Sequence, residues 1–407
     1  AALRDILDHC GENVPYYRRL FEALKLSAAD VATPAHLARL PLLTRDAVMQ
    51  SASLIQSHAG RSAARASSSS GSSGKPVTTY HAPASRLSIL AHRARALAWH
   101  DVRPWDRQGL LVPQRRSWAR RLLSDAGDRL AQRRRNNTFR FDRDECVVTA
   151  RRFARFHPVL MLGMPTFLNR LLHFSRDEGL DPRQWNVRLV LSNSEVLTPC
   201  IDAILSQGFG CPVLNEYGCT ELGSLAHRCP AGTLHLNSEH AIVELVDDEG
   251  HPVPAGIPGR VVVTTLHNRC MPLIRYVVGD IAVRAAKPCS CGRQPGYPGL
   301  DWVEGRLQQA WRDADGRLLA VLPATGAAQA RLTTAGFWES QFAQHGPRKV
   351  EVRVEPNVRP DGDVMSDVAE AFRDVLGGPV TLVWSNRPIV RLPSGKLSVL
   401  DRDTKDG

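Results

Sequence analysis

The chain has 407 residues, 43% apolar and 23% charged. It is longer than a single hydrophobic core grows and average for a soluble globular protein, so two domains are expected. This excludes a disordered chain, a collagen-like repeat and a disulfide-stapled miniprotein, and no uncharged apolar run is long enough to span a membrane. Lys and Arg number 52 against 41 Asp and Glu, a net +11, with arginine clusters at Arg115–Arg116, Arg120–Arg121 and Arg133–Arg134–Arg135. A basic surface attracts a nucleotide, coenzyme A or an acidic carrier protein, or is simply a solvated arginine-rich face. No nucleic-acid-binding signature accompanies the basic runs, so no nucleic-acid or membrane partner is expected. The N-terminus carries acids within its apolar stretch, unlike a secretory signal, and the nine cysteines are odd in number. Both features point to a cytoplasmic protein without a disulfide framework.

Residues 1 to about 60 read as helices joined by proline turns, with Tyr17, Leu20, Phe21 and Leu24 at helical spacing and a helix start at Thr33-Pro34. The run Ser69-Ser70-Gly71-Ser72-Ser73-Gly74-Lys75-Pro76 reads as a flexible linker or as a phosphate-binding loop. In the second reading the glycines let the backbone turn while hydroxyls, amides and Lys75 converge on phosphate oxygens. Its spacing is not that of G-x-x-x-x-G-K-[ST], but a strand, Pro76-Val-Thr-Thr-Tyr80, follows it. A helix is expected over 84–100 and an exposed loop over 133–144. From Cys146 strands and helices alternate, with β-rich runs 187–192 and 212–217 ending in polar residues, where binding loops sit in open α/β sheets. Runs 241–246 and 260–266 begin a β-rich section. After Gly305-Arg306, strand-like stretches 349–354 and 380–384 flank a helix near 365–376. The fold class expected is therefore α/β: a large N-terminal domain, 1–306, of mixed sheets and helices with a β-rich section, and a small α+β C-terminal domain, 307–407.

Four segments carry candidate chemistry. The Ser/Gly loop is the first. In Asn215-Glu-Tyr-Gly-Cys-Thr-Glu-Leu222, Tyr217 suits stacking on a base, Thr220 a phosphate and Glu221 a Mg²⁺ ion. The same residues also read as a strand-to-helix turn capped by Thr220. Asp280 follows a glycine in Pro272-Leu-Ile-Arg-Tyr-Val-Val-Gly-Asp280, placed for two ribose hydroxyls or simply ending a hairpin turn. Lys396 sits on the Pro/Gly turn Leu392-Pro-Ser-Gly-Lys-Leu397, by itself a solvated tip.

In this order the segments resemble the adenylate-forming superfamily of acyl-CoA synthetases, aryl-CoA ligases and peptide-synthetase adenylation domains. The branch most similar is that of phenylacetate–CoA ligase and CapK-like proteins, which Val14-Pro-Tyr-Tyr-Arg18 and Leu40-Pro-Leu-Leu-Thr-Arg-Asp46 also match. The resemblance implies that Ser69, Ser70, Gly71, Ser72, Ser73, Gly74 and Lys75 wrap the β- and γ-phosphates of ATP, and that Ser194 and Glu195 turn against adenine. It implies that Tyr217 stacks on adenine, Thr220 contacts the α-phosphate and Glu221 binds Mg²⁺. It implies that Asp280 holds the ribose hydroxyls, that Arg306 makes a second ribose or phosphate contact, and that Lys396 is the catalytic lysine of a small mobile domain. The implied reaction is attack of a carboxylate, aromatic or another small acid, on the α-phosphate, followed by transfer to a thiol of coenzyme A or a carrier protein. Positioning and cations carry such chemistry, and no side-chain nucleophile is required.

Departures and a metal candidate complete the reading. Where the family has an acid after Gly-Arg, at the hinge between domains, this chain has Gln308 and Gln309; Ser192-Asn193 replaces the glycine or alanine of relatives. The hinge change keeps alive an amide synthetase that passes the adenylate directly to an amine, and a zinc-stabilised nucleotide-binding protein without turnover is the non-enzymatic alternative. Cys229, Cys289 and Cys291 with a histidine, His235 or the competing His227, suit a closed tetrahedral Zn²⁺ site. Some CapK-like relatives share the Cys-x-Cys-Gly-Arg segment and such a zinc.

Overall fold

The computed structural model describes the chain except residues 32, 58–63, 69–76, 114–125, 140, 293–297, 393–394 and 403–407, and the side chain of residue 402. The whole Ser/Gly loop, residues 69–75, therefore lies outside the described residues. The chain divides into two compact units, Ala1–Ala96 with Tyr217–Val303, and Leu97–Glu216 with Glu304–Gly407.

In the second unit, five parallel strands run in the order Arg133–Asn137, Gln108–Val112, Leu160–Gly163, Leu189–Asn193 and Val213–Cys219, the last crossing into the first unit after Glu216. Helices cross between them. Asp142 accepts from the Glu145 N–H at 3.0 Å to start Arg143–Phe156, and Thr198 accepts from Ile201 at 3.3 Å ahead of Pro199–Phe209. The helix Pro165–Asp177 begins on a proline, which costs no intrahelical bond there. Phe153, Phe167, Leu172 and Phe209 from these helices close over Leu111, Met161 and Val190 of the strands. The 133–144 segment is not the loop expected. Arg133–Asn137 is an edge strand in register with Gln108–Val112, and its arginines are half-buried: Arg135 donates to both Asp128 carboxylate oxygens at 2.9 and 3.0 Å, and Arg134 lies over the Phe156 ring.

Residues from Trp311 to Leu400 of this unit share a core of their own. A four-stranded sheet in the order Thr381–Trp384, Lys349–Glu355, Glu339–Gly346, Leu400–Arg402 is joined by helices Leu322–Thr334 and Gly362–Arg373. Buried Trp311, Phe342 and Phe372 pack edge to tilted within it. The Glu304 carboxylate accepts the Val321 and Leu322 N–H groups at 3.1 and 3.0 Å, capping the first of these helices.

The first unit is β-rich where the sequence predicted it. Ala241–Val246, Pro258–Thr265 and Tyr276–Arg284 pair antiparallel in succession, and Leu234–Leu236 pairs with both Gly223–Arg228 and Gly299–Arg306. Helices Ala2–Asn13 and Pro15–Leu24 bury Ile6, Leu7, Tyr17 and Phe21 against this layer, while Leu24 stays exposed. Arg65–Ser68 pairs with Thr78–His81 as the stem on either side of the Ser/Gly run, and Pro83–Ala98 is the helix expected over 84–100. Among the described residues no helix is long and apolar enough to cross a membrane.

Candidate functional site

Candidate residues of the first unit gather about the turn that follows Cys219. Tyr217, Gly218 and Cys219 end one strand and Gly223 begins the next. The turn joins strand to strand, so Thr220 caps no helix, and its side chain is exposed. Asp280 likewise sits within a strand rather than at a hairpin turn. Gly279 takes φ +84°, and the register against Pro258–Thr265 slips there: Arg260 faces Ile281 while Val262 faces Val277. This is a β-bulge, in which only glycine adopts the left-handed backbone at no steric cost. Buried Asp280 accepts a hydrogen bond from the Tyr217 hydroxyl at 3.0 Å. The residues assigned to base and ribose, 63 positions apart in sequence, are thus direct neighbours.

Buried Glu221 pairs with Arg45, whose Nη1 lies 3.1 Å from Oε1. His81, at the end of the hairpin stem, donates from Nε2 to the Thr220 carbonyl at 3.2 Å, and His240 donates to the Leu222 carbonyl at 2.8 Å. Burial holds both imidazoles below their usual range, against the opposing pull of those carbonyl contacts. Two carbonyls flanking Glu221 are therefore pinned by buried side chains. Local pattern gave no sign of Arg45, His81 or His240 at this place; each arrives from a distant segment.

In the second unit Lys396 and the Ser194-Glu195 turn meet. Lys396 Nζ donates to the Ser194 carbonyl at 3.3 Å. The Glu195 carboxylate accepts the Leu397 N–H at 2.9 Å and the Thr166 N–H at 3.1 Å. Burial pushes its carboxyl above the usual value, against the opposing pull of those two N–H groups and Lys396. Ser194 holds φ +69°, a conformation uncommon for a residue with a Cβ. Gln309, three residues beyond Arg306, accepts from the Ser398 hydroxyl at 2.7 Å. Arg306 is exposed at the end of its strand.

Cys229, His235, Cys289 and Cys291 bring one ligand atom each within 4.8 Å of one another. Cys229 Sγ lies 3.5 Å from Cys289 Sγ, and Cys291 Sγ lies 3.3 Å from His235 Nε2. A disulfide is far shorter, and the edge of a tetrahedron with Zn–S near 2.3 Å is about 3.8 Å, so the four donors fit a Zn²⁺ ion. Burial lifts the Cys229 thiol to about 11. Burial also acts on Cys289, but hydrogen bonds from Thr233 and the Cys291 N–H outweigh it and hold that thiol below its usual value. His227, the competing ligand, instead meets Ser224 at 3.2 Å and Asn237 at 3.4 Å.

The sequence profile of AMP-binding enzymes matches residues 138–268. Phenylacetate-coenzyme A ligase of Thermus thermophilus is 30% identical over 143 residues, 34% of this chain and 32% of that protein. Phenylacetate-coenzyme A ligase of Aromatoleum evansii is 23% identical over 280 residues, 67% of this chain and 62% of that protein. The chain spans less than two thirds of the length of either relative. Among solved structures, a 2-hydroxyisobutyryl-CoA ligase in the postadenylation state matches 100% of this chain and 89% of its own, with a TM-score of 0.78 at 16% identity, a likeness of fold. The chain is thus similar to AMP-binding enzymes over residues 138–268 and to phenylacetate-coenzyme A ligases over part of its length, and it shares the fold of a CoA ligase.

Proposed function

We propose that the protein activates a small carboxylic acid with ATP as an acyl-adenylate and passes the acyl group to a thiol, that of coenzyme A or of a carrier protein. The observation that carries this reading is the Tyr217–Asp280 pair, an aromatic face joined to a carboxylate in the pattern a nucleoside requires. Tyr217 stacks on adenine, against which Ser194 and Glu195 turn, and Asp280 accepts the ribose hydroxyls, with Arg306 as a further contact. Thr220 contacts the α-phosphate, while residues 69–75 wrap the β- and γ-phosphates. A carboxylate oxygen of the acid bonds to the α-phosphorus in line. The bond to the diphosphate breaks and its electron pair leaves with pyrophosphate. The Lys396 ammonium stabilises the charge that builds on the phosphate oxygens, which is where this chemistry needs help. Glu221 would hold Mg²⁺, which would supply neutralisation of phosphate charge. The acceptor thiolate then attacks the acyl carbon and AMP departs. In this reading residues 307–407 act as a mobile domain carrying Lys396, and the protein is cytoplasmic.

A second reading, direct transfer to an amine, is favoured by one contact: Gln309 at the hinge is tied to Ser398, two residues beyond the lysine. An amine acceptor would need no rearrangement there. Zn²⁺ on Cys229, His235, Cys289 and Cys291 has a structural part in this proposal, closing loops of the β-rich section with no open coordination position. The test is pyrophosphate release across a panel of aryl, alkyl and amino acids, with mass spectrometry of products formed with coenzyme A or with amines. Release that requires both ATP and one class of acid is expected; none above the ATP-only background across the panel refutes the proposal.

A further inference from the structure

Glu221 is the residue to which Mg²⁺ has been assigned, yet a cation from this chain already sits on it. Arg45 approaches the buried carboxylate at 3.1 Å, with its own side chain about one-quarter exposed (26%). A buried carboxylate must be paired, and leaving it bare costs several kcal/mol. Arg45 reaches it through backbone anchorage. The Leu43 N–H donates to Arg275 O at 2.9 Å and Leu43 O accepts from Val277 at 3.0 Å, adding this segment to the strand that carries Asp280. Thr44, accepting from the Ala47 N–H at 3.2 Å, then turns the chain so that Arg45 leaves the sheet beside Glu221. The Arg45 guanidinium also donates to the Tyr276 hydroxyl.

We infer that Arg45 is a phosphate-binding residue of the Mg·ATP site that holds the metal's place on Glu221 until nucleotide arrives. The inference rests on the proposed function above. Once the divalent cation takes the carboxylate oxygens, the guanidinium loses its partner while a polyanion enters beside it. Its planar fork of donors matches a phosphate as well as it matched the carboxylate. The diphosphate tail is the part it takes, because that is the charge that arrives with the metal and leaves as pyrophosphate.

The test is direct binding of Mg·ATP and of AMP to the full chain by titration calorimetry, with no acid present, for wild type, Arg45→Ala and Arg45→Lys. Arg45→Ala is expected to weaken Mg·ATP binding about 10- to 100-fold, the loss of a charge-assisted hydrogen bond, with AMP binding changed less than about 2-fold. Arg45→Lys keeps a cation on Glu221 without the fork, so it folds where the alanine variant does not and shows the same asymmetry at smaller amplitude. Equal weakening of ATP and AMP makes Arg45 a structural partner of Glu221 and overturns the inference, as does no change in either. Wild-type protein that binds neither nucleotide overturns the proposed function itself, a result distinct from both.

Discussion

Gly218 is the position at which a single methyl group tests the geometry of the proposed nucleotide site. A Cβ added there would lie 2.2 Å from Gly223 O, 2.9 Å from Ser224 Cα and 3.0 Å from Gly223 C. These are backbone atoms, so no rotamer change relieves the clash; one strand must move from the other. Overpacking of this kind costs about 1–3 kcal/mol, and at about 2–4 °C per kcal/mol for a unit of this size the melting temperature of Gly218→Ala falls by about 2–12 °C. The displaced residues include Tyr217, one position away and bonded to Asp280 at 3.0 Å. Nucleotide affinity and acid-dependent pyrophosphate exchange are therefore expected to fall together, by about 10-fold for each 1.4 kcal/mol lost at the site. Gly256→Ala is the control: it has φ +81° but nothing within 4 Å of an added Cβ, so it carries backbone strain alone and leaves exchange intact. Calorimetric melting and exchange assays on both variants decide the matter. Gly218→Ala that melts with wild type and binds ATP within about 2-fold of it would refute the argument that this close approach sets the position of Tyr217.

Three further outcomes are expected. Glu195→Ala strips the acceptor from the Leu397 and Thr166 N–H groups and loosens the segment carrying Lys396; kcat for adenylation should fall about 10-fold or more with a smaller change in the KM for ATP, and a KM effect alone would count against it. Protein purified without chelator should carry one zinc per chain, and Cys289→Ser or chelation should lower the melting temperature by about 5–10 °C, the linkage expected at about 100 times Kd; metal analysis that finds none removes the site. Burial, aided by Arg95, holds His92 at about 4 against 6.5. Such a group binds a proton more readily when unfolded, so its contribution is complete above pH 6.5 and is lost as pH falls from there toward 4. Urea midpoints of His92→Phe should therefore decline less steeply over that interval than those of wild type, and parallel slopes would show that another group is responsible.

The local features of the site were legible because they need only neighbours in sequence. A strand that ends in tyrosine and glycine, then a hydroxyl and an acid, marks a candidate binding turn, and Cys-x-Cys marks a candidate soft metal pair. The β-rich section and the small α+β unit could also be read, since period-2 runs and turn residues are local signals. Arg133–Asn137 misled for the same reason: three arginines look like solvated loop, and only pairing with Gln108–Val112 makes them an edge strand.

What pattern could not supply was partnership across long separations. Which histidine joins the three cysteines was open in the sequence; the fold spends His227 on Ser224 and Asn237 and brings His235 to Cys291. The pairing of Tyr217 with Asp280, the seat of Lys396 on the Ser194 carbonyl and the arginine on Glu221 span 63, 202 and 176 positions. The amino-acid sequence by itself determined the resemblance to adenylate-forming enzymes and the kinds of side chain available. Only the tertiary structure decided who meets whom, because buried charges and hydrogen-bonding groups must be satisfied wherever packing brings them, and that choice is made between segments far apart along the chain.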